Sequence, residues 1–363
     1  MDQFLLRRTT RGILQLLCVS LLSCAAIASG SSKKPNPEPL PPDLLMDGGR
    51  KLTFERAFSS ERETRLKRGF WTKVFDFVAG EPAFHYLVRP YGIVVDSRGR
   101  VIITDPGARG IHIFDFAQQK YKFIERHDKN KDSMLAPQCI AVDAKDNLYV
   151  TDSESGKVFL FDANGKYLRA LGSLRGGEGY FKRPTGIAVD SEAQRIYVTD
   201  TVRNKVFMLD MNGTMLKTIG ENGSQDGQFN FPTELLLTED GLTVVDAMNF
   251  RVQTFDASGD FEAKMGQAGD QPGMLFRPKG IGRDSEDHLY IVDALQNSVQ
   301  VFNREGDILY SFGGSGTELG KFQLPAGLFI DRSDHIYVVD SYNRRVQVFH
   351  YLGTAKQASG MKR

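Results

Sequence analysis

The sequence is poor in the residues from which most metal sites and disulfide frameworks are built. It contains three cysteines and six histidines in 363 residues, and two of the cysteines, Cys18 and Cys24, lie within the first 24 residues. The third, Cys139, permits neither a CxxC metal ligand set nor a disulfide framework. This excludes a RING or B-box zinc module, and we predict that Cys139 is an inert, buried thiol.

Catalytic motifs and an excess of positive charge are also missing. No GxSxG, HExxH, Walker or dinucleotide-binding pattern occurs in a fitting context. The whole chain has a net charge of +1, but residues 81–352 hold 30 Lys and Arg against 37 Asp and Glu. A nucleic-acid-binding domain would need a strong local positive patch against this acidic background. We therefore expect no nucleic-acid partner.

The N-terminal apolar segment, residues 12–23, is shorter than the roughly 20 residues that a transmembrane helix needs. It follows three arginines between positions 7 and 11, as in an export signal. Its last residues, LLSC, resemble the lipobox of bacterial lipoproteins, which implies cleavage before Cys24 and a diacylglycerol group on its sulfur. The alanine that follows implies sorting to the outer membrane. The alternative is an ordinary signal peptide that is cut after Ala26 or Ala28.

The dominant feature of the sequence is a repeat. Residues 183–220, RPTGIAVDSEAQRIYVTDTVRNKVFMLDMNGTMLKTIG, contain four short apolar runs between turn residues and predict four antiparallel strands. The unit occurs six times at spacings of 46 to 48 residues, a period typical of a β-propeller. Each copy opens with a proline and closes its second strand with an aspartate: Pro90, Pro137, Pro184, Pro232, Pro278 and Pro325, and Asp105, Asp152, Asp200, Asp246, Asp293 and Asp340.

These blocks resemble a known family. GIAVD, IYVTD and KVFMLD in the third copy, and LYIVDALQNSVQVF and IYVVDSYNRRVQVF in the last two, look like NHL repeats. The resemblance covers residues of about 70 to 352 and implies an all-β, six-bladed β-propeller of NHL repeats with four antiparallel strands per blade. It implies little about function, because propellers carry many unrelated sites.

The two ends of the chain are expected to share one blade. The sixth copy stops after its third strand, whereas residues 70–80, FWTKVFDFVAG, align with the fourth strand of a repeat. We predict that residues 70–80 close the ring and that Trp71 packs there, because this pairing removes an open sheet edge. The predicted organisation is a lipoprotein signal peptide (1–23), a Pro-rich tether (24–42), an extended arm (43–69), the propeller (70–353) and a disordered tail (354–363).

Two copies depart from the repeat on their first strand. Cys139 replaces the glycine of the second copy, and the block TELLL, residues 233–237, replaces GIAVD in the fourth. These departures either mark a reshaped central channel or reflect drift within a tolerant repeat.

The strand order sorts the connections onto two faces. Short turns between strands one and two, and between three and four, share one face. The other face carries the turns between strands two and three and the long crossovers between blades. Longer, variable loops on a rigid scaffold usually carry binding, so we predict a binding face there. Its candidate residues are Arg109, Arg203, Phe250, Tyr342 and Arg344, with Arg183 and Arg251 nearby, and the arginines are expected to pair with loop carboxylates.

Repeated carboxylates and histidines offer the remaining candidate chemistry. The closing aspartates could bind a cation, but one per blade at an identical position indicates backbone hydrogen bonding in turns. His288 and His335 share a turn position on the face opposite to the candidate site, and no three histidines converge in this register. We predict no metal ligands and no cofactor, with a divalent cation in the central channel as the alternative. We also predict that the aspartates after the first strands form backbone hydrogen bonds in turns; these are Asp96, Asp143, Asp190, Asp284 and Asp331.

Together these features predict a non-catalytic, monomeric propeller that a lipid anchors in the bacterial cell envelope, at the outer membrane. It would recognise a protein, a peptide or an envelope polymer through the crossover face. Resemblance to NHL-like enzymes keeps open a metal-dependent lyase or hydrolase with a site at the central channel. Resemblance to animal NHL proteins keeps open an RNA-binding domain.

Overall fold

Each repeat folds into a four-stranded antiparallel sheet because its apolar runs alternate with turns rich in Asp and Gly. The computed structural model describes residues 38–64, 84–125, 133–173 and 180–353. Five sheets are formed by consecutive strands and a sixth uses both ends of the chain. The predicted all-β, six-bladed propeller is confirmed. No helix in the described ranges is long and apolar enough to cross a membrane.

The strands follow the repeat closely. Before the first blade lie β1 (Leu44–Leu45) and β2 (Lys51–Phe58), and blade 1 comprises β3 (Ile93–Val95), β4 (Val101–Asp105), β5 (Gly110–Asp115) and β6 (Lys120–Glu125). Blade 2 comprises β7 (Pro137–Val142), β8 (Leu148–Asp152), β9 (Lys157–Phe161) and β10 (Tyr167–Leu171), and blade 3 comprises β11 (Pro184–Asp190), β12 (Arg195–Asp200), β13 (Lys205–Asp210) and β14 (Met215–Ile219). Blade 4 comprises β15 (Pro232–Thr238), β16 (Gly241–Asp246), β17 (Arg251–Phe255) and β18 (Phe261–Met265), and blade 5 comprises β19 (Pro278–Arg283), β20 (Leu289–Asp293), β21 (Ser298–Phe302) and β22 (Ile308–Gly313). Blade 6 contains β23 (Leu328–Ile330), β24 (His335–Asp340) and β25 (Arg345–Leu352). Short 3-10 helices lie at Asp47–Gly49, Glu61–Thr64 and Ala247–Asn249.

A different N-terminal segment from the predicted one closes the ring. β2 pairs antiparallel with β25 along its whole length, and β1 extends the same sheet. Closure by an N-terminal strand is therefore confirmed, but the assignment of this place to residues 70–80 was wrong, and part of the supposed extended arm is the closing strand. A bulge between Phe54 and Arg56 turns Phe58 to the face opposite to Leu52, and three large apolar residues among charged ones give this strand only a weak signal in the sequence.

Several predictions of the sequence analysis fall outside the described residues. They are the signal peptide with Cys24, most of the Pro-rich tether, residues 70–80 with Trp71, and the C-terminal tail.

The hydrophobic core lies in layers between neighbouring blades, and the closing strand contributes to two of them. Leu52 is buried in the layer between blades 5 and 6. Phe58 is buried in the layer between blades 6 and 1, where its ring centroid is 5.0 Å from that of Phe114 and 5.0 Å from that of Phe116. The strand therefore joins blade 6 to both of its neighbours.

The repeated aspartates have the structural role that was predicted for them. All six aspartates at the ends of the second strands are 0% exposed. Asp200 is typical, because it accepts hydrogen bonds from the backbone N–H groups of Lys182 at 2.8 Å, Arg183 at 3.1 Å and Arg203 at 3.3 Å. These bonds hold each crossover against the turn that follows. Among the aspartates that follow the first strands, Asp96 accepts hydrogen bonds from two backbone N–H groups of the turn that it begins.

Candidate functional site

The first strands of the six blades line a central channel, and the repeat proline provides a common reference along them. The residue before the proline lies at the mouth of the channel on the crossover face, and the two residues after it lie at the next two levels. At the mouth these residues are Arg89, Ala136, Arg183, Phe231, Arg277 and Leu324. The second level consists of Tyr91, Gln138, Thr185, Thr233, Lys279 and Ala326, and the third of Gly92, Cys139, Gly186, Glu234, Gly280 and Gly327.

Arginine alternates with an uncharged residue around this mouth. We call Arg89, Arg183 and Arg277, which lie on blades 1, 3 and 5, the arginine mouth. All three are exposed, and among the described residues their guanidinium groups have no carboxylate partner. Their charges act across the channel: burial raises the pKa of Tyr91 on blade 1, and the charges of Arg183 and Arg277 oppose that rise. The three side chains therefore share one electrostatic site.

A lysine and a tyrosine lie at the level below the arginine mouth. The Nζ atom of Lys279 is 5.4 Å from the ring centroid of Tyr91. Burial, together with the charges of Arg277 and Arg89, lowers the pKa of Lys279 to about 8. A cation that is both desolvated and repelled in this way gains from a nearby anion.

The two departures from the repeat are in contact at the third level. The Cys139 thiol donates a hydrogen bond to Oε2 of Glu234 at 2.9 Å. Burial raises the pKa of Glu234 to about 7, and burial also raises the pKa of the thiol, so the thiol stays protonated. Cys139 is buried, as predicted, although its partner is polar. The two substitutions therefore reshape the channel together.

Gly186 lies at the third level of blade 3, between Cys139 on blade 2 and Glu234 on blade 4, and this position must be occupied by a small residue. A Cβ atom on Gly186 would lie 2.4 Å from the carbonyl oxygen of Thr233 and 2.9 Å from Cα of Glu234. The first strands of blades 3 and 4 thus approach too closely for a side chain at this position. Glycine there leaves room for the contact between Cys139 and Glu234.

The channel differs in charge between its two ends. A cavity of about 230 Å³ that begins at the third level is lined mainly by aliphatic residues of the first strands. At the opposite face the channel opens into a cavity of about 1390 Å³, whose lining includes many carboxylates. Positive charge is therefore concentrated at the crossover-face mouth of a propeller that is acidic overall. The carboxylates of the wide end include Asp96, Asp143, Asp190, Glu192, Glu239 and Asp331.

The residues predicted from sequence for the binding face lie on turns of four different blades. Arg109, Tyr342 and Arg344 are exposed there. Phe250 is half-buried against the layer between blades 4 and 5. The guanidinium carbon of Arg203 lies 5.0 Å from the ring centroid of Tyr180, and its Nη1 is 3.7 Å from Oδ2 of Asp200. No contact within the described ranges brings these five residues together.

The predicted pairing of arginines with loop carboxylates holds for some of them. Arg251 is 7% exposed, and its Nε donates to Oδ2 of Asp246 at 2.9 Å. Arg203 is paired as described above. Arg183 differs, because its side chain belongs to the arginine mouth. Arg251 and Arg203 are thereby explained as parts of the scaffold.

The crossovers vary less than the sequence analysis expected. Those at 220–232, 266–278 and 313–325 each close on themselves through one parallel bridge and bury one apolar side chain. The bridges join Asn222 to Phe229, Ala268 to Leu275 and Ser315 to Phe322, and the second residue of each is 0% exposed. Three of the crossovers are thus copies of one loop, and the differences between blades lie at the channel mouth.

Sequence reasoning missed Arg89, Arg277, Tyr91 and Lys279. A signal for them was present, since the residue before the repeat proline alternates between arginine and an uncharged residue along the six copies. That alternation becomes meaningful only when the first strands are arranged around one axis.

Comparisons with known proteins agree with this fold. Residues 131–221 match the model of a family described as a 6-bladed beta-propeller, and residues 322–349 match the NHL repeat. No curated protein matches the chain in sequence.

Solved structures with the same fold have low sequence identity to this chain. A virginiamycin B lyase from Staphylococcus aureus is 15% identical with a TM-score of 0.52, over 73% of this chain and 96% of the other. An auxiliary nutrient binding protein from Bacteroides thetaiotaomicron is 12% identical with a TM-score of 0.55, over 75% and 71%. A protein of the same description from Bacteroides ovatus is 16% identical with a TM-score of 0.55, over 72% and 69%. At these identities the likeness concerns the fold alone. The chain is a six-bladed β-propeller whose last blade matches the NHL repeat, and the N-terminal strand β2 completes that blade.

Proposed function

We propose that the protein is a binding propeller of the bacterial cell envelope that captures an anionic group, a carboxylate or a phosphate, at the arginine mouth. One observation carries this proposal: three guanidinium groups without carboxylate partners among the described residues share one channel mouth on an acidic propeller. Two neighbours in fold are named as nutrient binding proteins, which supports a binding role.

The electrostatics of the channel favour an anion at this place. Three guanidinium groups and the ammonium group of Lys279 repel one another beside a low-dielectric channel, which focuses their field. A bound carboxylate or phosphate would offset that repulsion and raise the pKa of Lys279 from about 8. Charge-assisted hydrogen bonds from arginine to such a group are among the stronger contacts in proteins.

The size of the channel limits how much of a ligand can enter. The cavity that begins at Cys139 and Glu234 has a volume of about 230 Å³, less than the roughly 300–1,000 Å³ of sites that enclose a small molecule. We therefore propose that the anionic end of a peptide or envelope polymer enters the mouth. The rest of the ligand would then lie across the crossover face.

Replacing Arg89, Arg183 and Arg277 together by Gln should weaken binding of a fluorescent tetraglutamate peptide by at least about 100-fold. Hydrogen bonds to charged groups contribute about 1.5–3 kcal/mol each, and 1.4 kcal/mol changes Kd tenfold. Fluorescence anisotropy at low salt measures the change, with inorganic phosphate as a competitor. Affinity for the wild type should also fall as the pH rises through about 8, because Lys279 loses its proton there.

Two further variants make this test specific. Arg304→Gln is the matched control, because Arg304 lies on the turn between strands three and four of blade 5, on the opposite face, and is exposed. The pair Arg109→Gln and Arg344→Gln tests the turn residues that the sequence analysis favoured. If this pair abolishes binding while the triple variant binds normally, the ligand site lies on the turns. If the wild-type protein binds neither tetraglutamate nor phosphate, anion capture at the mouth is wrong.

We also propose that the chain is exported and anchored by a lipid on Cys24. Support comes from the LLSC sequence at the end of a short apolar segment, followed by the Pro-rich tether. Cys24→Ala should abolish incorporation of labelled palmitate and release the protein from the membrane fraction. Cys139→Ala serves as the matched control and should keep the label. Continued labelling of the Cys24→Ala protein would disprove the anchor.

A further inference from the structure

Two histidines and a glutamate meet on blade 6, away from the channel. His335 begins β24, His350 lies opposite it on β25, and Glu55 lies at the bulge of the closing strand β2. Oε1 of Glu55 is 3.5 Å from Nε2 of His335 and 3.4 Å from Nδ1 of His350. The sequence alone predicts no metal ligands here, because Glu55 falls in the expected arm and no three histidines converge in the repeat register.

The hydrogen bonds on the far side of each ring fix which nitrogen can act as a ligand. Nε2 of His350 is 3.2 Å from the carbonyl oxygen of Ser333. A carbonyl oxygen only accepts, so this nitrogen carries the hydrogen and Nδ1 presents its lone pair to Glu55. Nδ1 of His335 is 3.0 Å from a carboxylate oxygen of Asp331, and for the same reason its Nε2 lone pair faces Glu55.

With both rings neutral, three electron-pair donors therefore face one another. Two imidazole nitrogens with lone pairs lie within 3.5 Å of the same carboxylate oxygen, and this arrangement is repulsive unless a cation lies between them. Carboxylate or carbonyl partners on the outer nitrogen are also the usual arrangement around histidines that bind metals, because they fix the tautomer and make the ligand more basic. We propose that Glu55, His335 and His350 bind one divalent transition-metal ion of the zinc class.

The distances agree with this proposal. Ligand atoms at 2.0–2.2 Å from a tetrahedral zinc ion lie about 3.3–3.6 Å apart, and the two distances to Glu55 are 3.5 Å and 3.4 Å. The imidazole rings are nearly parallel, at 20° with centroids 4.3 Å apart. Because the lone pair of an imidazole nitrogen lies in the plane of its ring, both side chains must rotate slightly before the two nitrogens can bind the same ion. All three side chains are partly exposed, so an ion can enter and a water molecule can supply the fourth ligand.

Such an ion would act on the closure of the ring. Its ligands come from the closing strand and from two strands that lie more than 270 residues later in the chain. The unfolded chain does not hold these residues together, so metal binding adds to the stability of the closed propeller. The site is thus a clamp between the two ends of the domain.

The test uses the full chain without an affinity tag, stripped of metal by a chelator and titrated with Zn²⁺. We expect one ion per chain and a melting temperature that rises by about 4–8 °C at zinc concentrations about 100-fold above Kd. With Co²⁺ in place of Zn²⁺, we expect visible bands of a tetrahedral site without a thiolate charge-transfer band. The absence of that band distinguishes this site from binding by cysteine.

The repeat supplies well-matched variants. Asn147 occupies the position of His335 in blade 2, and its Nδ2 donates to Asp143 at 2.8 Å. His335→Asn should therefore keep the turn intact while it removes the metal ligand, and Kd for zinc should rise at least about tenfold, the lower limit seen for partners outside the ligand shell. Glu55→Gln, on the exposed side of β2, should do the same.

His288→Asn is the control, because His288 makes the equivalent bond to Asp284 in blade 5 and should leave zinc affinity unchanged. Wild-type protein that binds no zinc at 100 µM would overturn the proposal. So would zinc binding that is equal in the wild type, His335→Asn and Glu55→Gln.

Discussion

Replacing Phe58 by Ala should lower the free energy of unfolding by about 3–5 kcal/mol, the range for removing a large aromatic side chain from a core. Phe58 is 2% exposed and packs against Phe114 and Phe116. It is also the main contribution of the closing strand to the layer between blades 6 and 1. Loss of its side chain would therefore leave a cavity and weaken the joint between the two ends of the chain.

Urea denaturation followed by far-UV circular dichroism measures this change in the free energy of unfolding. Lys51→Ala on the same strand is the control, because Lys51 is partly exposed and its ion pair with Asp43 lies at the surface; such changes usually stay within about 0.5 kcal/mol. Deletion of residues 44–58 should have a larger effect, since it exposes the edge of β25 and opens the ring. An unchanged midpoint for Phe58→Ala and for the deletion would show that another segment closes the propeller.

Glu234→Gln should stabilise the protein by about 2–3 kcal/mol at pH 8 and have little effect at pH 4.5. Burial raises the pKa of Glu234 from its ordinary value of 4.5 to about 7. A group whose pKa is raised on folding contributes stability below its unfolded pKa and loses that contribution as the pH rises through its folded pKa. Each pKa unit corresponds to about 1.36 kcal/mol, so the ionised carboxylate destabilises the folded state above pH 7. Glutamine stays neutral and can still accept the hydrogen bond from Cys139.

Unfolding curves at pH 4.5, 6 and 8 measure this linkage. Glu262→Gln is the matched control, because Glu262 lies exposed on the outer strand of the same blade. A constant difference between Glu234→Gln and the wild type from pH 4.5 to pH 8 would mean that the carboxyl group titrates normally. The expected result would show that blade 4 retains a group that the scaffold does not need, since four other blades have glycine at this level. Such costs are common at binding sites.

The local patterns of the sequence were sufficient to predict most of the fold. Apolar runs of four to six residues between Asp and Gly turns predicted the strands, and the spacing of 46 to 48 residues predicted six blades. The buried aspartates at the ends of the second strands were also assigned correctly, because an identical residue in every copy indicates a role that every copy needs. In each case the relevant contacts lie within one repeat or between its direct neighbours.

The closing strand shows where these patterns fail. Residues 51–58 contain only three large apolar side chains, Leu52, Phe54 and Phe58, among charged residues. The bulge between Phe54 and Arg56 turns Phe58 to the face opposite to Leu52, so the strand packs on both neighbouring blades, which alternation in the sequence does not predict. Residues 70–80 were predicted instead, because they align with the fourth strand of a repeat ahead of the first repeat proline. The partner strand β25, which decides the question, is almost 300 residues away.

The candidate site, like the fold, could be predicted from the sequence only in part. The sequence by itself determined the scaffold, the level of each residue along the first strands, and the two departures at Cys139 and Glu234. Only the tertiary structure decided that these two side chains touch, that three arginines share one mouth, and that Glu55 meets two histidines. The physical reason is that a repeat specifies its own turns and its packing on the next blade, whereas contacts across the channel or between the chain ends exist only after the ring has closed.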